Sequence, residues 1–243
     1  MSRQTDRTNR VHRIFEEISE GYDAANERIS LGLQRFWKED LIRRAVRDTA
    51  SGDRVLDACC GTGDIGIAIA KRRPDLRVNG LDFSENMLRG ALRKSRGIRN
   101  IRFKCGDVCR LPYADDTFGA VCISFGLRNT PDYKRTIREL HRVLKPGGRL
   151  YLIDSFVPQN GLVYPFYRFY FRDLMPLLGG GRRHRKEYLW LWSSTKHFLK
   201  PDQCLKLLGR CGFCAVTIHK KMFGACILFC GKKAAGNKRK IHA

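Results

Sequence analysis

The sequence predicts an α/β protein in which a mostly parallel sheet of seven strands carries helices on both faces. Short apolar segments with strand character alternate with longer segments of helical periodicity along most of the chain. Acidic residues stand at three successive strand ends, at Asp57, Asp82 and Asp107. The last two strand segments are close enough to form an antiparallel hairpin, so we expect the last strand to run against the others.

The chain begins with segments that we expect to be helical. Residues 8–21 carry apolar side chains on one helical face, and a second helix is expected at about residues 38–49. The segment between them is dense in polar and aromatic side chains, which suit either a cap packed onto the domain or a cover over a ligand. These side chains include Tyr22, Asp23, Asn26, Ser30 and Trp37.

Residues 55–64, VLDACCGTGD, have the form of a buried strand that turns through glycines into a helix. Asp57 closes the predicted strand, and Gly61 and Gly63 flank Thr62. Glycine lets a backbone turn tightly or approach a ligand closely, and the helix N-terminus that follows offers N–H groups. This geometry suits a ligand with carboxylate or ribose oxygens, although a plain strand–helix connection has the same form.

The next two strands, at residues 76–82 and 101–105, also lead into acids. Asp82 follows the glycine turn by about 20 residues, where α/β nucleotide sites place a carboxylate on ribose hydroxyls. Asp107 is suited to the exocyclic amine of an adenine. Each acid is also a plausible cap or turn residue, but three in succession favour a ligand site.

The fourth strand, at residues 120–124, leads into polar residues at the edge where open α/β sheets bind ligands. Ser124 ends the strand, and Arg128 and Asn129 follow it. A helix is expected at residues 131–144 and a fifth strand at residues 149–156. Arg128 and Asn129 are therefore candidates for binding a second substrate.

The second half of the chain has a different composition. Residues 162–178 are rich in Tyr, Phe, Leu and Met, and residues 182–186 are basic. These segments suit helices that roof an apolar cavity, although ordinary packed helices fit equally well. A last helix at residues 201–211 precedes the final strands at 214–220 and 225–231.

Composition narrows the class of protein. The net charge of +23 attracts nucleic acid or an anionic membrane face, although a solvated basic surface explains it equally well.

Several of the ten cysteines lie in apolar segments, and the first ten residues lack a signal-peptide pattern, so we expect free thiols in a reducing cytoplasm. Cys211 and Cys214 form a C-x-x-C without a second pair, so no metal site is expected. No segment is apolar over the length of a membrane span.

Five features resemble a class I S-adenosylmethionine-dependent methyltransferase, in order and at familiar spacing. They are the glycine turn, Asp82, Cys105-Gly106-Asp107, LPYADDTF and VLKPGGRLYLID. The segments GYDAANERISLGLQRFWK and ISFGLRN resemble the UbiE-type family of ubiquinone and menaquinone biosynthesis C-methyltransferases, over about residues 15–153. The resemblance implies a Rossmann-like fold with a helical cap at 1–50, a methyltransferase domain at 51–231 that includes roofing helices at 158–200, and a basic, disordered tail at 232–243.

The resemblance also implies roles by position. The cofactor-binding residues would be Asp57, Gly61, Thr62, Gly63, Asp82, Asp107, Val108 and Ser124. The catalytic residues, which border the acceptor, would be Arg128, Asn129, Tyr22 and Asp23. Arg128 is too basic to remove a proton directly, but it would stabilise a phenolate or order a water. Asp23 would act as a base through water, and Tyr22 would donate to a quinol oxygen.

The implied reaction is C-methylation of a prenylated quinol by S-adenosylmethionine. The acceptor would be a demethylmenaquinol, a 2-polyprenyl-6-methoxy-1,4-benzoquinol, or both. We expect a cytoplasmic protein, peripheral on anionic lipid at the inner membrane face through the basic surface and residues 162–186, and able to form a homodimer.

Three alternatives remain at this point. Methylation of another small acceptor, such as a different phenol or an amine, needs the same donor site. An RNA methyltransferase suits the charge, but residues 124–127 read SFGL rather than Asn/Asp-Pro-Pro-Tyr and no RNA-binding module is appended, so nucleic acid is not the expected partner. A non-catalytic donor-binding subunit is the third alternative.

Overall fold

The structure is a computed structural model that describes residues 27, 30, 32–174 and 192–235. Its sheet has seven strands in the order β3-β2-β1-β4-β5-β7-β6. They are β1 (Arg54–Ala58), β2 (Arg77–Asp82), β3 (Ile101–Cys105), β4 (Phe118–Ser124), β5 (Leu144–Ser155), β6 (Phe213–Lys221) and β7 (Cys226–Lys233). Strand β7 is antiparallel to both of its neighbours and the other pairs are parallel, which confirms the predicted sheet.

Helices cover both faces of this sheet. The described α-helices include α1 (Leu33–Asp48), α2 (Asp64–Arg72), α3 (Glu85–Lys94), α4 (Tyr133–Val143), α5 (Tyr164–Phe169) and α6 (Pro201–Arg210). Alternation along β5 shows the two faces. Tyr151 and Ile153 pack in one apolar cluster with α1 and α2, whereas Leu150 and Leu152 pack in another with α4 and α6. None of the described helices has both the length and the apolar composition to cross a membrane.

Helix α1 packs against one face of the sheet. Leu41 and Ala45 are fully buried, and the Tyr151 hydroxyl donates to the Asp48 carboxylate at 2.9 Å. The helix starts at Leu33, earlier than the sequence predicted, directly after Gly32 in the left-handed region. The predicted helix at residues 8–21 lies outside the described residues.

Several strand bounds differ from the prediction, and three of these differences show how the strands pair. Strand β1 continues through Ala58, which pairs with both β2 and β4, so the interpretation that Asp57 closes the strand was wrong. Strand β5 begins at Leu144, because Leu144 pairs with Phe118 before the Pro-Gly-Gly turn. Strand β7 extends to Lys233, beyond the predicted domain end at residue 231.

The order of strands reverses between β1 and β4. Helix α2 follows β1 on one face and α4 follows β4 on the other, which opens a crevice at the carboxyl ends of these two strands. The turns that leave the two strands touch here. A Cβ atom added to Gly126 would lie 2.6 Å from the Cβ atom of Cys59, so only glycine allows this approach.

We predict opposite effects for two glycine-to-alanine substitutions. Gly126→Ala should lower the free energy of unfolding by about 1–3 kcal/mol, because the rigid Cβ of Cys59 cannot give way without a backbone shift. Gly209→Ala, inside α6, should raise it by about 0.5–1 kcal/mol, because an added Cβ meets no described atom within 4 Å. Guanidinium denaturation of both variants and the wild type measures this, and equal stabilities would contradict the steric account.

Candidate active site

The glycine turn after β1 is held by main-chain contacts to its neighbours. Cys60 donates its N–H to the carbonyl of Leu81 at 3.0 Å, and Gly63 donates to the carbonyl of Cys60 at 2.8 Å. Gly61 and Gly63 both have positive φ, at 54° and 83°. A Cβ on Gly61 would meet no described atom within 4 Å, so this side of the turn is open to a ligand.

Asp82 lies beside this open glycine. Its Oδ2 accepts the Gly61 N–H at 2.8 Å and its Oδ1 accepts the Ser84 N–H at 2.9 Å. The carboxylate thereby connects the end of β2 both to the glycine turn and to Ser84, the residue that precedes α3. An acceptor at this place fits the predicted contact with vicinal hydroxyls.

The side chain of Thr62 is directed away from the strand ends. Its Oγ1 accepts from Nζ of Lys94 at 2.9 Å, and an added Cβ on Gly90 would lie 3.5 Å from its methyl carbon. Thr62 is 7% exposed. A ligand in the crevice would therefore meet the main chain of Thr62 rather than its hydroxyl.

Asp64, the first residue of α2, joins three helices. It pairs with Lys38 of α1 at 3.0 Å and with Lys94 of α3. Although burial opposes the charged form, the two ammonium groups outweigh it and lower the pKa of Asp64 to about 2. These pairs fix the start of α2, and with it the glycine turn.

Asp57 supports the same helix from below. It is 1% exposed, and its Oδ2 accepts the Gly66 N–H at 2.8 Å. Burial raises the pKa of Asp57 to about 7 in spite of that hydrogen bond. The protein itself covers this carboxyl, so the structure places Asp57 beneath the turn rather than on the ligand side.

Asp107 and Val108 follow β3 at the same edge of the sheet. The Asp107 carboxylate accepts the Cys109 N–H at 2.8 Å and caps a short 3₁₀ turn, while its side chain remains exposed. Val108 is buried in the core with Leu81 and Leu111. The capping role and a contact with an adenine amine are compatible, because a carboxylate has several acceptor sites.

Ser124 and Asn129 each carry a buried oxygen that has no hydrogen-bond partner among the described residues. These atoms are Oγ of Ser124 and Oδ1 of Asn129. The Asn129 amide nitrogen donates to the carbonyl of Phe125 at 3.4 Å. Buried polar atoms are usually satisfied, so these two fit a site for a polar ligand at the end of β4.

Arg128 is held in the turn after β4. It is 5% exposed, pairs with Asp154 at the end of β5, and donates Nη1 to the carbonyl of Phe125 at 3.0 Å. Phe125 has φ of 55°, and its N–H donates to Ile153 at 2.8 Å. Phe125 therefore has a backbone conformation that is uncommon for a residue with a side chain, and hydrogen bonds hold it there. Backbone strain of this kind is common at functional sites.

Arg128 also lines an apolar cavity of about 620 Å³. Its wall is built mainly from aromatic and aliphatic side chains. Among them are Leu33, Trp37, Phe125, Leu162, Phe166, Tyr167, Phe169, Tyr170, Met222 and Phe223. This size falls in the range of sites that enclose ligands the size of a drug, and its walls suit a ring with a hydrocarbon chain.

Two residues escaped the sequence analysis, one bound to Arg128 and one in the cavity wall. Asp154 is fully buried, and Tyr167, which lines the cavity, is 6% exposed. The signal for Asp154 is an acid within the apolar alternation of β5, whereas no local signal singles out one tyrosine in a segment of many. Tyr22, Asp23 and Asn26 lie outside the described residues.

Metal and thiol chemistry find no support in the described part of the chain. No group of three His, Cys, Asp or Glu side chains there is arranged to hold a metal ion. The ten cysteines are free thiols. Burial raises the pKa of Cys59 and of Cys60, next to the glycine turn, so both remain protonated near neutral pH.

Comparisons with known proteins agree with this geometry. The model of the ubiE/COQ5 methyltransferase family matches residues 3–233. The demethylmenaquinone methyltransferase of Geobacillus kaustophilus is 40% identical over 228 residues, covering 92% of this chain and 97% of that protein. The enzyme of the same name from Staphylococcus aureus is 36% identical over 233 residues, covering 94% and 95%. The structure of a SAM-dependent methyltransferase from Thermotoga maritima has a TM-score of 0.60 at 18% identity, covering 92% of this chain and 99% of that one.

Asp57 should make stability depend on pH. Because burial raises the pKa of its carboxyl from 3.8 to about 7, the folded protein keeps a proton that the unfolded chain releases. This stabilisation is fully present below pH 3.8 and is lost as the pH rises through about 7. Each pH unit in that window removes about 1.4 kcal/mol.

We therefore expect Asp57→Asn to remove this pH dependence while keeping an acceptor for the Gly66 N–H. From pH 5 to pH 7 the wild type should lose about 2–3 kcal/mol of unfolding free energy relative to the variant. Chemical denaturation at several pH values measures the difference. Parallel pH profiles for the two proteins would show that Asp57 ionises normally.

Proposed function

The chain belongs to the ubiE/COQ5 methyltransferase family, and we propose that it methylates a ring carbon of a prenylated quinol, with demethylmenaquinol as the acceptor. The methyl donor of this methyltransferase is S-adenosylmethionine. One observation carries the proposal: Arg128 lines an apolar cavity, next to the strand ends to which we assign the donor. A ring with polar oxygens and an apolar chain needs this combination.

We assign the donor to the crevice between β1 and β4. Asp82 would accept from the ribose hydroxyls, and Asp107 and Val108 would contact the adenine. The open face of Gly61, with the main chain of Thr62 and Gly63, would lie against the methionine end, and Ser124 Oγ would satisfy its unpaired oxygen there. When bound, the donor supplies an electrophilic methyl group on a sulfonium.

The acceptor carbon lies ortho to a quinol hydroxyl and gains nucleophilic character when that hydroxyl loses its proton. A new carbon–carbon bond forms at the methyl group as its bond to sulfur breaks, and the ring carbon then releases its proton. Holding two reactants in line accounts for about 7–11 kcal/mol of a barrier, so positioning is the main task of the protein.

We assign Arg128 to the quinol oxygen. A guanidinium stays protonated at physiological pH, so it stabilises the developing phenolate or orders a water rather than removing the proton. Asn129 would complete this polar end through its buried Oδ1. Tyr22, as a donor to the quinol, and Asp23, as a base through water, remain predictions from the family resemblance.

The exposed side chains at the opening of the cavity support the proposal that the protein contacts a membrane. Exposed apolar side chains surround it, with Leu162 at 82%, Phe166 at 78% and Phe223 at 82% exposure. Phe223 stands at the tip of the β6–β7 hairpin with φ of 53°. These exposed apolar side chains, together with the net charge of +23, suit the interface of an anionic bilayer, where the prenyl chain of the acceptor resides. The cytoplasmic location and the homodimer remain predictions.

A methyl-transfer assay tests the proposed reaction. Purified protein with labelled S-adenosylmethionine should label a reduced demethylmenaquinol analogue in detergent, and more efficiently than a 6-methoxy-benzoquinol analogue. Asp82→Ala should lose donor binding in calorimetry, whereas Arg128→Ala should bind the donor but lower kcat about 100- to 1000-fold. Donor binding by the wild type without label in either quinol would reject the quinol and leave another small acceptor or RNA.

A flotation assay tests the membrane contact. The wild type should float with vesicles that contain anionic lipid, and less at high salt. Phe166→Ser with Phe223→Ser should reduce the bound fraction about tenfold, because two aromatic side chains leave the interface. Leu92→Ser, at an exposed apolar side chain on α3, is the matched control and should float like the wild type. Equal flotation of the double variant and the control would reject this surface.

A further inference from the structure

Asp154 occupies a position where the pattern of β5 predicts an apolar side chain. Leu150, Leu152 and Phe156 alternate with the same phase as Asp154, and all three are fully buried in the cluster shared with α4 and α6. Asp154 is fully buried as well. A charged group at such a position is costly unless it is paired and hydrogen-bonded.

The carboxylate of Asp154 binds Arg128 at two places. Its Oδ2 accepts the main-chain N–H of Arg128 at 3.1 Å, and its Oδ1 accepts from Nη1 of the same residue. The Ser155 N–H also donates to Oδ1, at 2.8 Å. Both the backbone and the guanidinium of Arg128 are therefore attached to the end of β5.

This attachment decides where the guanidinium lies. Arg128 belongs to a short 3₁₀ turn at 127–129, and Phe125 accepts from the same Nη1 at 3.0 Å. Two acceptors on one nitrogen orient the planar guanidinium group, and Arg128 lines the cavity together with Phe125 and Ser155.

We propose that Asp154 is a positioning residue for methyl transfer, which holds the Arg128 guanidinium against the acceptor oxygen and balances its charge until the quinolate forms. This inference rests on the proposed function. A long arginine side chain has many rotamers, and an anchored one is already oriented when negative charge develops on the ring oxygen. The pairing also compensates the charge of Arg128, so a neutral quinol that enters the cavity does not meet an unpaired guanidinium.

Asp154→Asn tests the proposal, with Glu139→Gln as the matched control. Like Asp154, Glu139 joins an arginine to a main-chain N–H, because it accepts from Arg142 at 2.7 Å and from Leu111 at 2.8 Å, but Arg142, unlike Arg128, does not line the cavity. Rates with labelled donor and a short-chain demethylmenaquinol are divided by the number of donor sites titrated in calorimetry, so unfolded protein is not counted.

Asp154→Asn should lower kcat about 10- to 100-fold, as is usual when a group that orients an active residue is lost, with donor affinity unchanged. Glu139→Gln should leave kcat within about twofold of the wild type, since its effects are confined to local stability. The substitution should matter only while Arg128 is present. In an Arg128→Gln background, Asp154→Asn should therefore lower kcat no further.

The outcomes separate the two proposals. If the wild type is active on the quinol but Asp154→Asn behaves like Glu139→Gln, the positioning role is wrong and the proposed function stands. If Asp154→Asn lowers kcat equally with and without Arg128, its effect does not pass through the guanidinium and the inference is again wrong. If the wild type transfers no methyl group to the quinol, the proposed function fails and this inference fails with it.

Discussion

The arrangement of the site depends on a single steric constraint, the contact between the turns that leave β1 and β4. Gly126 approaches Cys59 so closely that any side chain there would push the two turns apart. Cys59 and Phe125 both adopt left-handed backbone conformations, and the hydrogen bond from Phe125 to Ile153 keeps the second turn attached to the sheet. Since Gly61 lies in one turn and Arg128 in the other, this contact brings the proposed donor and acceptor sides together.

The two sides are built by different means. The proposed donor side consists of turns at the carboxyl ends of adjacent strands, held by hydrogen bonds such as that from Gly61 to Asp82. The apolar cavity combines side chains from α1, the turn after β4, α5 and the tip of the β6–β7 hairpin, which are far apart in the chain. A likeness to a solved structure at 18% identity shows the fold alone, so the choice of acceptor depends on the residues that line this cavity.

Much of the fold could be predicted from local sequence patterns. The features that were missed depend on contacts between residues that are far apart in the chain. The strands were predicted from short apolar segments of strand character and were confirmed. The place of Asp57 within β1 depends on Ala58 pairing with Leu81, and the direction of Thr62 depends on Gly90 in α3. No local pattern contains such partners. Asp154 was missed for the same reason, because its partner Arg128 lies on another strand end.

Both side chains of the Arg128–Asp154 ion pair are buried, which sets it apart from exposed pairs such as Arg89 with Glu85. Water screens an exposed pair, and its loss changes little. A buried pair in an apolar core can often be replaced by apolar side chains with no loss, or with a gain of about 1–4 kcal/mol. Stability alone therefore gives no reason for a charge at Asp154, in phase with Leu150, Leu152 and Phe156. The proposed reaction gives one, because a developing phenolate in the cavity would need the charge of Arg128 there.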